Sequence, residues 1–171
     1  MFKKALIVCM VVAPVTVQAV DWLDDVAALY TGTSFNESKA VSIVEGYRKK
    51  DELEVKELEK KAAAAKKPGV VGKITEASYQ PEISVLNAQV SFYKKVERAM
   101  KDFSENKKDK EKFMASLKKL NRYKKQLEDV RAKYRADSGN VSKAKHGTVI
   151  AAKEAQVLSY KTYMKGLFLA A

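Results

Sequence analysis

The sequence predicts an all-α protein, an elongated antiparallel bundle of three long helices with a partly packed fourth, a short N-terminal helix and no sheet. Three observations predict it. Phe113, Leu120, Leu127 and Tyr134 recur every seventh residue, with Leu117, Tyr123 and Val130 at the half-steps, so one apolar seam runs along a single helical face. Ile83, Leu86, Val90, Tyr93, Val96, Met100 and Phe103 repeat at steps of three and four, the mark of a second such helix. Nowhere does a two-residue apolar–polar alternation coincide with β-branched enrichment, as a half-buried strand would require.

Taken in order, the chain opens like a secretory signal peptide. Lys3 and Lys4 precede an apolar run, Ala5 to Val12, and Pro14 breaks it ahead of Val17-Gln18-Ala19. Small or short residues at the −3 and −1 positions place cleavage after Ala19. The run is shorter than the ~20 residues a spanning helix needs. Cys9 is the only cysteine and would leave with the leader, so the mature chain must stabilise itself by burial without disulfides. That fits a bacterial envelope better than eukaryotic secretion.

Residues 20–35 read as a short helix and a loop. Trp22, Leu23, Val26 and Leu29 share one side, and Asp21, Asp24 and Asp25 sit where the helix dipole favours negative charge. Trp22 is expected to act as a lid over one end of the bundle. Asn36 is a natural N-cap for a charged helix over 36–67, apolar at Ala40, Val41, Ile43, Val44 and Tyr47 and lean thereafter. Only Leu53, Val55 and Leu58 remain to bury in its second half, so that half is expected to project in part, partly unpacked, supported by acid–lysine pairs such as Glu57 with Lys61. Pro68, Gly69 and Gly72 mark a mobile loop over 68–80, and Pro81 fits the first position of the next helix.

Residues 81–171 are expected to form the three-helix core. Lys107 to Asp109 reads as a tight polar connection, and short connections favour antiparallel neighbours. Gly139 is the expected left-handed residue beyond the helix of the Phe113–Tyr134 seam, with Asn140 or Ser142 capping the last one. Two adjacent tracks make that helix the expected most buried member. Val149, Ala152, Gln156, Tyr160, Tyr163 and Leu167 form one; Ile150, Val157, Met164 and Phe168 form the other.

Chemistry finds little purchase. His146 is the sole histidine, so a metal would need carboxylates alone, and those sit among lysines on helix faces. A serine triad would have to recruit His146, and no Gly-x-Ser-x-Gly turn or phosphate-binding glycine loop is present. The expectation is a protein without enzymatic activity, metal or cofactor.

Charge is more informative. The chain carries 33 Lys and Arg against 21 Asp and Glu, a formal +12. Lys94 to Arg135 alone holds 16 basic residues against 7 acidic ones. Lys118, Arg122 and Lys125 share a face away from the seam, and Lys107, Lys108, Lys110 and Lys112 gather at its start, which makes these seven a candidate face for an anionic partner. The aromatic residues lie on the seam and not between the lysines, so single strands have no stacking platform, and nucleic acid is not the expected partner. Anionic lipid or an acidic polymer suits the stripe better. A second candidate surface is the apolar end, Tyr163, Leu167, Phe168 and Leu169, wider than one packed face requires.

In general build, a signal peptide followed by long helices and a looser appendage, the chain looks like the minor pilus components of type IV secretion systems. The likeness is one of architecture and carries over no residues. It implies a structural component of an envelope machine, with a protein partner there or a second copy of itself. Size, leader, charge and long helices are also similar to the Skp-type periplasmic holdase chaperones. That family opens its mature chain with a trimerisation strand, and Val20-Asp21-Trp22-Leu23-Asp24-Asp25 does not read as one.

Overall fold

The computed structural model describes residues 21–30, 32, 34–65 and 70–169; the leader assigned to 1–19 lies outside them. The described residues are predominantly helical, without a strand. α1 spans Trp22–Ala28, α2 Glu37–Ala64, α3 Val70–Lys101, α4 Lys107–Ala136 and α5 Asn140–Leu167, with a 3-10 turn at Asp102–Ser104. The long helices of 28 to 32 residues measure about 42 to 48 Å at 1.5 Å per residue. An all-α bundle is what the apolar periodicity demanded.

Two antiparallel hairpins, α2 with α3 and α4 with α5, account for most of the packing. They meet at their open ends. Ala40 and Val44 of α2, Tyr93, Val96 and Met100 of α3, Phe103, Phe113 to Leu127 of α4, and Val157, Met164 and Phe168 of α5 bury into one core. α1 fills its centre, with Trp22, Leu23, Val26 and Ala27 all buried. Trp22 meets Phe168 edge-on at 5.9 Å, and Phe168 meets Phe113 at 5.3 Å. Such edge-to-face contacts each add about 0.5–1.5 kcal/mol beyond the area they bury.

Several expectations need correction. α3 starts at Val70, so the segment read as a loop over 68–80 is helical from that residue, and Pro81 lies inside the helix. A proline there forfeits one backbone hydrogen bond; what offsets it is packing. Tyr79, Ile83 and Leu86 close on Val55 and Leu58 of α2 in a second apolar cluster built by these two helices alone. The second half of α2 is therefore α3's packed partner and not a free projection, and the core is not confined to 81–171. Asn36 caps α2 as expected, accepting from the Lys39 amide at 2.9 Å. Lys107 to Asp109 is already helix, capped by Asn106. Gly139 is not left-handed (φ −84°). Gly139, not Asn140 or Ser142, is the N-cap of α5, without a side-chain cap; the Asp137 carboxylate ties the connection instead, accepting from the Gly139 amide at 2.9 Å and from the Ser142 hydroxyl. α5 is the least covered long helix of the second hairpin, not the most buried. Ile150, Val157, Met164 and Phe168 face inward as one track, while Val149 and Tyr163 of the other stand exposed.

Candidate interaction surfaces

The polar ties explain what holds each surface in place. Between the two clusters of the first hairpin, Arg48 donates from Nε to Glu97 Oε1 at 2.7 Å and from Nη1 to Glu52 at 2.9 Å. Lys94 reaches Glu52 at 3.4 Å. The Glu97 hydrogen bond holds the guanidinium above its ordinary value against the opposing effect of burial.

α1 is tied down on three sides. Lys161 of α5 meets Asp24 at 2.6 Å and Asp21 at 3.0 Å, and Lys165 meets Asp21 at 3.3 Å. Lys124 of α4 meets Asp24 at 3.1 Å, and Asn121 donates to the Ala27 carbonyl at 3.0 Å. From α2, the Tyr47 hydroxyl donates to Asp25 at 2.5 Å. Burial alone would push the Asp24 carboxyl up and the Lys161 ammonium down. Their mutual hydrogen bond, with Lys124 and Asp21 adding to it, outweighs burial in both, so Asp24 is held low and Lys161 high. Burial, then the Asp25 hydrogen bond, pushes the Tyr47 hydroxyl up to about 12. The three acids were legible only as favourable to the helix dipole. The cation partners of Asp21 and Asp24 lie about a hundred residues or more away, and no local pattern points to them.

The structure divides the predicted basic face. Lys107, Lys118, Arg122 and Lys125 are exposed on the side of α4 opposite Phe113, Leu117 and Leu120, and none has an ion-pair partner among the described residues. Lys110 turns instead to Glu37 at the start of α2, and Lys112 to Asp109 at 3.5 Å. Lys108 is exposed beside them. Lys119, absent from the predicted set, lies 5.2 Å over the Tyr160 ring in a cation–π contact.

The apolar end divides too. Phe168 is only 4% exposed and belongs to the core, so it is withdrawn as a docking residue, and Leu167 is half-buried. Tyr163 at 56% and Leu169 at 61% are open. Leu169 ends a longer feature that the sequence reading missed. Ala144, Thr148, Ala151, Ala155, Leu158, Thr162 and Leu169 are exposed at spacings of three and four, with one position between the last two taken by Lys165. They line the side of α5 turned away from Ile150, Val157 and Met164. Among exposed residues from Thr148 to Leu169 only Glu154 is charged, and it is paired with Arg131 at 2.7 Å. The signal lay in the sequence as an apolar arc wider than α4 and α1 need.

At another side of α5, its last turn lines a groove of about 830 Å³ with the end of α3 and the start of α4. Phe103, Phe113, Tyr163, Leu167 and Phe168 form its apolar walls. Lys95, Arg98 and Lys112 stand on the rim with Asp102 and Asp109. Lys112 and Asn106 occupy Asp109. Lys95 and Arg98 have no carboxylate partner among the described residues, nor has Asp102 a cation. One residue of the predicted basic face and three of the predicted apolar patch are thus brought to one groove.

Among the described residues no group of three or more His, Cys, Asp or Glu is placed to hold a metal ion, and no helix is long and apolar enough to cross a membrane. Comparison of the chain with protein-family models, with curated proteins and with solved structures finds no match.

Proposed function

We propose that the chain is an exported, non-enzymatic structural protein of the bacterial cell envelope that engages a protein partner, in the manner of a minor component of a secretion or conjugation apparatus. One observation carries the reading: an uncharged, exposed side of α5, with Leu158 66% open to solvent, in a chain where 32% of residues are charged. Leucine and tyrosine left open along a helix between charged neighbours are surface that a partner removes from water. The leader read at residues 1–19 supplies the address.

The test is a photo-crosslinking residue at position 158 in the producing bacterium, with fractionation of the same cells. The expected result is a mature chain beginning at Val20 in the envelope fraction, with one discrete heavier adduct. A full-length chain retained in the cytosol, or a diffuse smear of adducts, overturns the reading.

A further inference from the structure

We propose that the groove between the end of α3, the start of α4 and the last turn of α5 binds a single-chain carboxylate amphiphile, a free fatty acid, with its chain on the aromatic floor and its head at Lys95 and Arg98. The inference goes beyond the reading above and uses none of the exposed row along α5. Three features select this occupant.

The first is form. About 830 Å³ falls within the roughly 300–1,000 Å³ of small-molecule sites. Phe103 and Phe168 each meet Phe113, at 5.5 and 5.3 Å between ring centres, and no ring of the three is more than 4% exposed. A floor locked into the core in this way is formed before a ligand arrives, so binding does not have to order it. Tyr163 and Leu167 stand at the α5 edge. Between Leu167 and Lys165 the wall lacks a side chain: a β-carbon at Gly166 would meet nothing within 4 Å, and the backbone there is not in the left-handed region that favours glycine. Open space therefore begins at its α-carbon.

The second is charge. Lys112 and Asp109 offset each other at 3.5 Å, with Asn106 also on Asp109. Lys95, Arg98 and Asp102 remain on the rim without ion-pair partners among the described residues; two cations less one acid leave one positive charge, which one carboxylate neutralises. Lys95 and Arg98 are three residues apart and share a helix face, so a single head can meet both, the guanidinium through two parallel hydrogen bonds. A phosphate dianion would exceed that charge beside Asp102, and an ammonium head would meet two cations for one acid.

The third is arrangement. Lys95, Arg98 and Asp102 are exposed while the rings beneath them are buried. The fitting molecule carries its charge at one end and an uninterrupted apolar body behind it. A flat bilayer surface does not reach such a floor.

The test is isothermal titration of the mature chain, Val20 to Ala171, with decanoate, decanol and decyltrimethylammonium, each below its micelle threshold. Decanoate should bind as one molecule per chain, at least tenfold tighter than decanol, with the ammonium probe weakest. Lys95→Gln with Arg98→Gln should bring decanoate down to the affinity of decanol and leave decanol unchanged. Gly166→Leu should weaken both at least tenfold without lowering the urea midpoint. Lys118→Gln with Arg122→Gln, on the exposed side of α4, should change nothing. No decanoate binding at millimolar concentration, equal affinity for the three probes, several molecules per chain, or full discrimination retained in the Lys95 and Arg98 pair would each overturn the assignment. So would undiminished binding in a stably folded Gly166→Leu; if that variant is destabilised, the Lys95 and Arg98 pair decides alone.

Discussion

The two hairpins are built from helices of similar length and solve opposite problems. The first closes on itself out to its far end, where Val55 and Leu58 meet Tyr79, Ile83 and Leu86, and α2 carries 7 basic and 7 acidic residues. The second is apolar only near the shared core. Further out it is held by Arg131 with Glu154 and by Lys153 with Gln126, while α4 carries 12 basic residues against 4 acidic ones. One hairpin spends its apolar residues on its own fold. The other leaves a row of them on the outside of α5. The difference teaches that a helix face is read as core or as interface only once its partner helix is known.

The contrast predicts unequal responses to damage at the core they share. Trp22→Ala removes a side chain 1% exposed from between the hairpins and should destabilise the protein by about 3–5 kcal/mol, measured by urea unfolding. Hydrogen exchange should show α4 and α5 losing protection first, because the outer half of α2 and α3 keeps its own cluster. Equal loss in both would break the comparison. Next in size, Arg48→Met leaves the buried Glu97 without its 2.7 Å partner. The expected loss is about 2 kcal/mol, below that of a fully buried pair because both groups retain some water. Its exchange signature should fall on α2 and α3.

Smaller effects follow from the ties on α1. Asp24 is held below its ordinary value, so its stabilisation is present above the unfolded carboxyl value near pH 4 and is lost as pH falls below it. Lys161 is held above its own, so its share is complete through neutral pH and is lost only as pH rises through that raised value. Solvent screening keeps the acid-side loss to about 0.5–1 kcal/mol. Asp24→Asn should flatten the acid limb of a plot of urea midpoint against pH. Asp51 has the opposite sign. Burial, and then Glu54, raises its carboxyl, and one of its oxygens is enclosed without a partner. Its ionised form disfavours folding at neutral pH, and Asp51→Asn should stabilise the first hairpin by roughly 0.5 kcal/mol. An unchanged midpoint would show that water reaches that oxygen.

Much of this fold was legible because period and capping are local. The seam from Phe113 to Leu127 and the Asn36 cap needed only spacing and residue type. Pairing was not local. Val55 and Leu58 looked too sparse to pack because their partners, Ile83 and Leu86, lay beyond a proline that was read as a helix start. The acids of α1 could not announce Lys124 or Lys161 across the chain. Of the candidate site, Tyr163 and Leu169 were named from the sequence, while Ala155 and Leu158 were not. Alanine and threonine carry no strong apolar signal, and only the position of α4 shows which side of α5 is left open.

The smallest expected effect sharpens the comparison most. If the open side of α5 contributes nothing to folding, Leu158→Lys and Leu169→Lys should each move the urea midpoint by an amount equivalent to less than about 0.5 kcal/mol, as surface substitutions do. Val157→Lys, one residue away on the inward side, should be severe, because an unpaired charge would enter the core. A helix that tolerates lysine at 158 and not at 157 has one side committed to the fold and one side free of it. Were both substitutions equally damaging, the outer row would be part of the core after all, and the second hairpin would differ from the first only in charge.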